Sequence, residues 1–148
     1  MKNYAVGKDE NIEFPVDPNV TGGASAYSVT KNKTINTRSV SISTILKEFS
    51  IKNPFLLDLD IKGKEFEVIK DKAVSEFEIV RIEYATLVVD GKRSGSRDDI
   101  IEVLKKYGFD KIRIYKHTDG AYDLHEHGTI EAHKDWFLVN IRANSKRL

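Results

Sequence analysis

Apolar and polar positions change rhythm along this chain, and each change predicts an element. Near the start, Ala5-Val6-Gly7 and Ile12-Glu13-Phe14 flank the polar stretch Lys8-Asp9-Glu10-Asn11, the pattern of two short strands around a turn. Residues 17–44 are rich in Ser, Thr, Asn and Gly, with Pro15 and Pro18 at the entrance, a mix that favours turns and edge strands in a loose hairpin region. Ile45 to Phe49 reads as a short helical turn, stopped before Asn53-Pro54 because a residue preceding proline is pushed out of helical space. Phe55 to Ile61 is a nearly continuous apolar run of strand length, as expected of a parallel strand covered on both faces. After Gly63, Glu65 to Ala73 has helical composition and spacing, and Phe77 to Tyr84 reads as a second strand. A loop at Asp90 to Gly95 leads to Ser96 and Asp99, the spacing of a capping box. The helix it opens carries Ile100, Val103, Leu104 and Tyr107 on one side and stops at Gly108. Lys111 to Tyr115 is a third strand, and Gly128 to Ile141 supplies a last strand or pair. Strand, helix, strand, helix, strand is the α/β pattern: a mostly parallel sheet closed by a C-terminal antiparallel hairpin, plus the N-terminal β-hairpin region.

At 148 residues the chain predicts a single domain, residues 1–148, with a hairpin and edge-strand region at 1–44 and an α/β core at 45–148. Twenty-four basic against 23 acidic side chains leave a formal charge of +1, so no global field draws in nucleic acid or an acidic membrane surface. No apolar run approaches the roughly 18 residues of a membrane span. Lysines at positions 2 and 8 interrupt the N-terminus before a signal-peptide core forms, which predicts a cytoplasmic protein. Zero cysteines exclude disulfides, thiolate metal sites and a Cys nucleophile. The sequence contains no GxGxxG, no GxxxxGK[ST] and no GxSxG, which removes the standard phosphate-cradling, dinucleotide and α/β-hydrolase signatures.

Ligands of open parallel α/β sheets bind at the carboxyl ends of the strands, where loops and helix N-termini converge. That rule selects Asp58 and Asp60 at the end of the first core strand and Glu83 at the end of the second. Asp58 and Asp60 are two apart and share one side of an extended strand. Three such carboxylates suit orientation of hydroxyls, base chemistry or a cation, and equally suit capping and pairing with Lys62 and Lys64. All four histidines, His117, His125, His127 and His133, fall in the last third of the chain. Asp123, His125 and His127 alternate, so on a strand they would share a face and could hold a divalent metal; on a solvated loop they would hold none.

The run Leu56-Leu57-Asp58-Leu59-Asp60-Ile61-Lys62-Gly63-Lys64-Glu65-Phe66-Glu67-Val68-Ile69 resembles the segment "LLKIDIEGxEYEVL" of the FkbM family of S-adenosylmethionine-dependent methyltransferases. Ala5-Val6-Gly7 with Phe14 resembles the family's "AVG" hairpin, and Ile82-Glu83-Tyr84 its next acidic strand end. Ile100 to Phe109 resembles the family's "IIxLLxxYGF" helix, and Gly128-Thr129-Ile130 its closing strand, so the resemblance runs along almost the whole chain. It implies a Rossmann-like methyltransferase sheet, truncated here, with S-adenosylmethionine as cofactor. It places Asp58 and Asp60 beside the cofactor, and Asp60, Glu83 and Glu65 as the catalytic candidates. Lys62 replaces the family's first acid of the "EGxE" pair, which inverts a charge beside the site.

In this family a glycine-rich loop and a ribose-binding acid precede the "AVG" hairpin, and the chain in hand starts at that hairpin. Two expectations follow: O-methyl transfer to a small-molecule or glycan hydroxyl that is incomplete in the isolated chain, or a non-catalytic remnant acting as an interaction domain. A metal-dependent small-molecule site at Asp123, His125 and His127 is a third. Without the family's first three strands, Phe55 to Ile61 becomes an exposed sheet edge. Either the Ser/Thr-rich segment from Val20 to Ser43 folds along that edge or a second copy of the chain pairs across it, and the other expected partner is a polypeptide supplying the cofactor half.

Overall fold

A computed structural model describes residues 4–15, 34–61, 64–86, 88–89, 92–116 and 127–135. Its centre is a four-stranded sheet built from β4 (Leu56–Leu59), β5 (Ile79–Ala85), β8 (Lys111–Lys116) and β9 (His127–His133), in the order β4-β5-β9-β8. β4 and β5 are parallel, while β9 runs antiparallel to both of its neighbours. The protein is α/β as expected, but this sheet is mixed rather than mostly parallel. The last strand enters between β5 and β8 because its Ile130 and Ala132, both fully buried, meet Ile82 and Val80 across the ladder.

Alternation along these strands sorts the two faces. Leu57, Leu59, Val80, Ile82, Tyr84, Ile130 and Ala132 are buried and form one cluster with Phe66, Ile69, Ile100, Leu104 and Phe109. Each large apolar side chain taken from water in this way contributes about 1.5–3 kcal/mol before entropy is charged against it. The other face carries Leu56, Asp58, Ile79, Arg81, Glu83, Glu131, Thr129, Arg113 and Tyr115 by the same register. Only Ile79 and His133, which lie opposite each other, are fully covered there, whereas Asp58, Arg81, Arg113 and Tyr115 are exposed. β4 is thus covered on one face, not two. Asp58 interrupts its apolar run at the position where alternation turns a side chain outward.

Three α-helices and a 3-10 helix accompany the sheet among the described residues. α1 (Ile42–Glu48) starts three residues ahead of the expected turn, because the Ser41 side chain accepts the Thr44 N–H and caps it. α2 (Glu65–Val68) is a single turn, and the expected helix through Ala73 breaks at Asp71. The Asp71 carboxylate accepts from the Ala73 N–H to open a 3-10 helix, Lys72–Glu76, and from the Ser43 N–H and hydroxyl to hold α1 against it. α3 (Arg97–Lys106) shows both halves of the Ser96/Asp99 capping box and ends at Gly108, whose φ of 88° is open to glycine.

The N-terminal segments differ from a simple hairpin. β1 (Ala5–Val6) and β2 (Glu10–Pro15) do not pair with each other; β3 (Thr34–Val40) lies between them, parallel to the first and antiparallel to the second. The turn between β1 and β2 has another task. The Asp9 carboxylate accepts from the Ser41 N–H and hydroxyl and from the Thr44 hydroxyl at the start of α1, which ties the small sheet to the core. Between β5 and α3, where a loop was expected, β6 (Val88–Val89) and β7 (Lys92–Arg93) make a two-stranded ribbon. Among the described residues no helix is long and apolar enough to cross a membrane.

Candidate functional site

The parallel register of β4 and β5 sets Asp58 beside Arg81 and Leu59 beside Ile82, which carries the next row to Asp60 and Glu83. Both acids leave the same open face at adjacent strand ends. With Asp58, Ile61, Arg81 and Thr129 they line an open cleft of about 620 Å³. Thr129 arrives from β9, where it pairs with Glu83. The carboxyl-end rule therefore brings Asp58, Asp60 and Glu83 into one place.

Within the cleft Asp58 is already engaged. The Arg81 guanidinium binds it in a two-pronged ion pair, Nε to Oδ1 at 2.9 Å and Nη2 to Oδ2. That hydrogen-bonded carboxylate, with Glu131 farther along, holds the Arg81 pKa above its ordinary value. Both side chains are about half exposed, so the pair adds little to stability, on the order of 0.2–1 kcal/mol. Its consequence is for the site: of three acids, Asp58 is neutralised, and Asp60 and Glu83 keep the negative charge. One row back, Asp58, Arg81, Glu131 and Arg113 stand side by side across all four strands in alternating sign. Glu83 has a further neighbour in His127, whose Nε2 lies 3.3 Å from its Oε1.

Glu65 lies elsewhere. It is fully buried in the first turn of α2 and does not line the cleft. Of the alternating trio, His127 is on β9, while Asp123 and His125 lie outside the described residues, as do His117 and Lys62. Among the described residues no group of three or more metal-capable side chains comes together. His133 is buried at the far end of β9, with Nε2 2.7 Å from Glu131 Oε1, and pairs in register with Ile79 rather than with the cleft. Sequence reasoning missed Arg81 and Thr129 as cleft residues. The signal for Arg81 was present: it stands two residues before Glu83, on the polar side of an alternating strand.

The model of the methyltransferase FkbM domain matches residues 2–111. The chain belongs to that family. Membership implies a Rossmann-like fold and S-adenosylmethionine as cofactor, and the match spans β1 to the start of β8. β9, with Thr129 and His127, lies beyond it, so the likeness of Gly128-Thr129-Ile130 to a family closing strand is not part of the matched span. Searches of curated proteins and of solved structures give no match.

The residues present fit S-adenosylmethionine in part only. The cleft is large enough for a nucleoside, and Asp60 and Glu83 suit ribose hydroxyls or a cationic amino group. An adenine ring and a thioether chain also need an apolar slot, and Ile61 is the one apolar residue among the six that line the cleft. The described residues make an acidic wall without its apolar counterpart, and on their own they do not hold the cofactor.

Proposed function

We propose that this FkbM-family chain serves in O-methyl transfer from S-adenosylmethionine to a hydroxyl of a small molecule or glycan. In this reading it presents Asp60 and Glu83 as the acidic wall of a Rossmann-like site. The observation that carries the reading is their placement: two carboxylates on one face, at neighbouring ends of two parallel strands, around a cleft of about 620 Å³. A carboxylate there accepts a hydrogen bond from an acceptor hydroxyl and takes up its proton as the oxygen is alkylated. Asp58 lines the same cleft with its charge neutralised by Arg81. Tight cofactor binding then requires an apolar wall from beyond the described residues.

The Asp58–Arg81 pair, and a cleft whose described lining has Ile61 as its one apolar residue, favour a second reading, in which the fold persists as an interaction domain without catalysis. Titration of the full chain with S-adenosylmethionine, followed by backbone amide resonances, separates the two. The methyltransferase reading expects fast-exchange shifts at millimolar ligand, concentrated at Asp60, Ile61, Glu83 and Thr129. No shift at any of these amides, or shifts elsewhere only, would leave the interaction domain.

A further inference from the structure

Two edges bound the four-stranded sheet, and they are differently protected. β8 carries Lys111, Arg113 and Lys116, the charged side chains that discourage strand addition. β4 has a hydrogen-bonded neighbour on one side only among the described residues, and its one charged side chain, Asp58, is neutralised by Arg81. The run leading into β4 also holds four of the seven exposed large apolar side chains found among the described residues: Phe49, Ile51, Phe55 and Leu56. An unguarded edge with an apolar approach is a surface for strand addition.

We propose that this edge pairs with β4 of a second copy of the chain, antiparallel about a two-fold axis, making one eight-stranded sheet from two four-stranded ones. The strand's own sequence selects the occupant and the register. Side chains opposite each other in an antiparallel ladder share a face, so Leu57 must meet the partner's Phe55, Leu57 or Leu59 to keep apolar residues on the covered side. Opposite the partner's Leu59, the two Asp58 carboxylates would face each other, a destabilising like-charge pair. Opposite the partner's Phe55, Asp58 would face a proline, which has no N–H for the ladder. With Leu57 on the axis, the partner's Phe55 covers Leu59 and the partner's Leu56 lies beside Asp58. Phe55 and Leu56 are 52% and 41% exposed in the single chain, and both become buried. The arrangement is self-complementary, as an isologous interface requires. It also sets the partner's Leu56 at the border of the acidic cleft, although the pairing stands on edge geometry and not on what the cleft binds.

Sedimentation equilibrium of the full chain tests it, together with amide exchange at Leu56 and Asp58, whose N–H groups point out of the edge while those of Leu57 and Leu59 face β5. The expected result is twice the 16.8 kDa chain mass, with protection at these two amides that falls on dilution in step with the dimer fraction. The double variant Phe55→Lys/Leu56→Lys, at two exposed positions, should sediment at the single-chain mass with an unchanged far-UV circular dichroism spectrum. Ile114→Lys on the opposite edge should leave the doubled mass intact. A single-chain mass in the wild type overturns the proposal, whether the two amides exchange fast or are protected by another segment of the same chain. So does a dimer that survives the double variant, or one that Ile114→Lys dissociates. Should the double variant unfold, the dilution dependence of wild-type protection decides alone.

Discussion

Replacing Gly95 by alanine tests the packing that seats α3 on the core. Gly95 precedes the helix cap Ser96, and its carbonyl accepts from the Thr86 hydroxyl at 3.1 Å, which fixes the backbone. A Cβ there would stand 2.3 Å from Cδ1 of Phe66, 2.6 Å from its Cγ and 2.9 Å from its Cε1. Ordinary carbon contacts are about 3.5–4.0 Å, so the overlap is at least about 1.2 Å at Cδ1 and about 0.6 Å at Cε1. Phe66 is 5% exposed and packed in the main cluster, so a shift of the ring gives up core contacts. Overpacking of this kind costs about 1–3 kcal/mol. Where the backbone tolerates alanine, losing glycine's unfolded-state entropy returns about 0.4–1 kcal/mol. The net expectation is a loss of about 1–2 kcal/mol, read from urea denaturation followed by far-UV circular dichroism. Phe66→Leu removes the ring and should make Gly95→Ala neutral or stabilising in its background, a coupling of about 1 kcal/mol or more. If Gly95→Ala costs the same with and without the ring, the clash is not the cause. If it stabilises the wild type, the packing argument is wrong.

Asp99→Asn at the N-terminus of α3 should lower stability near neutral pH by about 0.3–1 kcal/mol. The Ser96 hydroxyl and N–H hold the Asp99 pKa below its ordinary 3.8, so its contribution is present above that value and is lost as pH falls from there through the lowered pKa of the folded state. Urea midpoints of the two proteins should therefore converge below pH 3.8; a gap unchanged there would show that the charge is not what caps the helix. Arg81→Met should leave the melting temperature nearly unchanged, since exposed pairs are worth little. It should also tighten S-adenosylmethionine about threefold in the amide titration, from one unit more of negative cleft charge acting at about 6 Å in water. Weaker binding by that variant would contradict the assigned electrostatics of the cleft.

Much of this was legible in the chain. The capping box at Ser96, the stop at Gly108 and the helix end before Asn53-Pro54 are local signals, decided within a few residues, and all three appear. The juxtaposition of Asp60 and Glu83 follows from strand alternation once β4 and β5 are neighbours. What failed depended on partners distant in sequence. Nothing within residues 5–14 says that β3 will separate β1 from β2, because the preference is set by Asp9 reaching Ser41 and Thr44 across the fold. The helical pattern through Ala73 gave way because Asp71 gains the Ser43 N–H and hydroxyl as well as its own cap, contacts that outweigh helix propensity.

The most informative misreading concerns β4. As an apolar run, Phe55 to Ile61 suggests a strand enclosed on both faces; read in alternate positions, it has Leu57 and Leu59 on one side and Asp58 and Asp60 on the other. β5 repeats the division with Val80 and Ile82 against Arg81 and Glu83. Two parallel strands in register with the same division produce a sheet with one apolar and one polar face, and the acids accumulate in rows on the second. The row at the strand ends forms the cleft, while the row behind it is consumed by the Asp58–Arg81 pair. The single register shift that would move the acids to the core face would also expose Leu57 and Leu59. Hydrophobic burial therefore positions the acidic pair, whatever the pair binds.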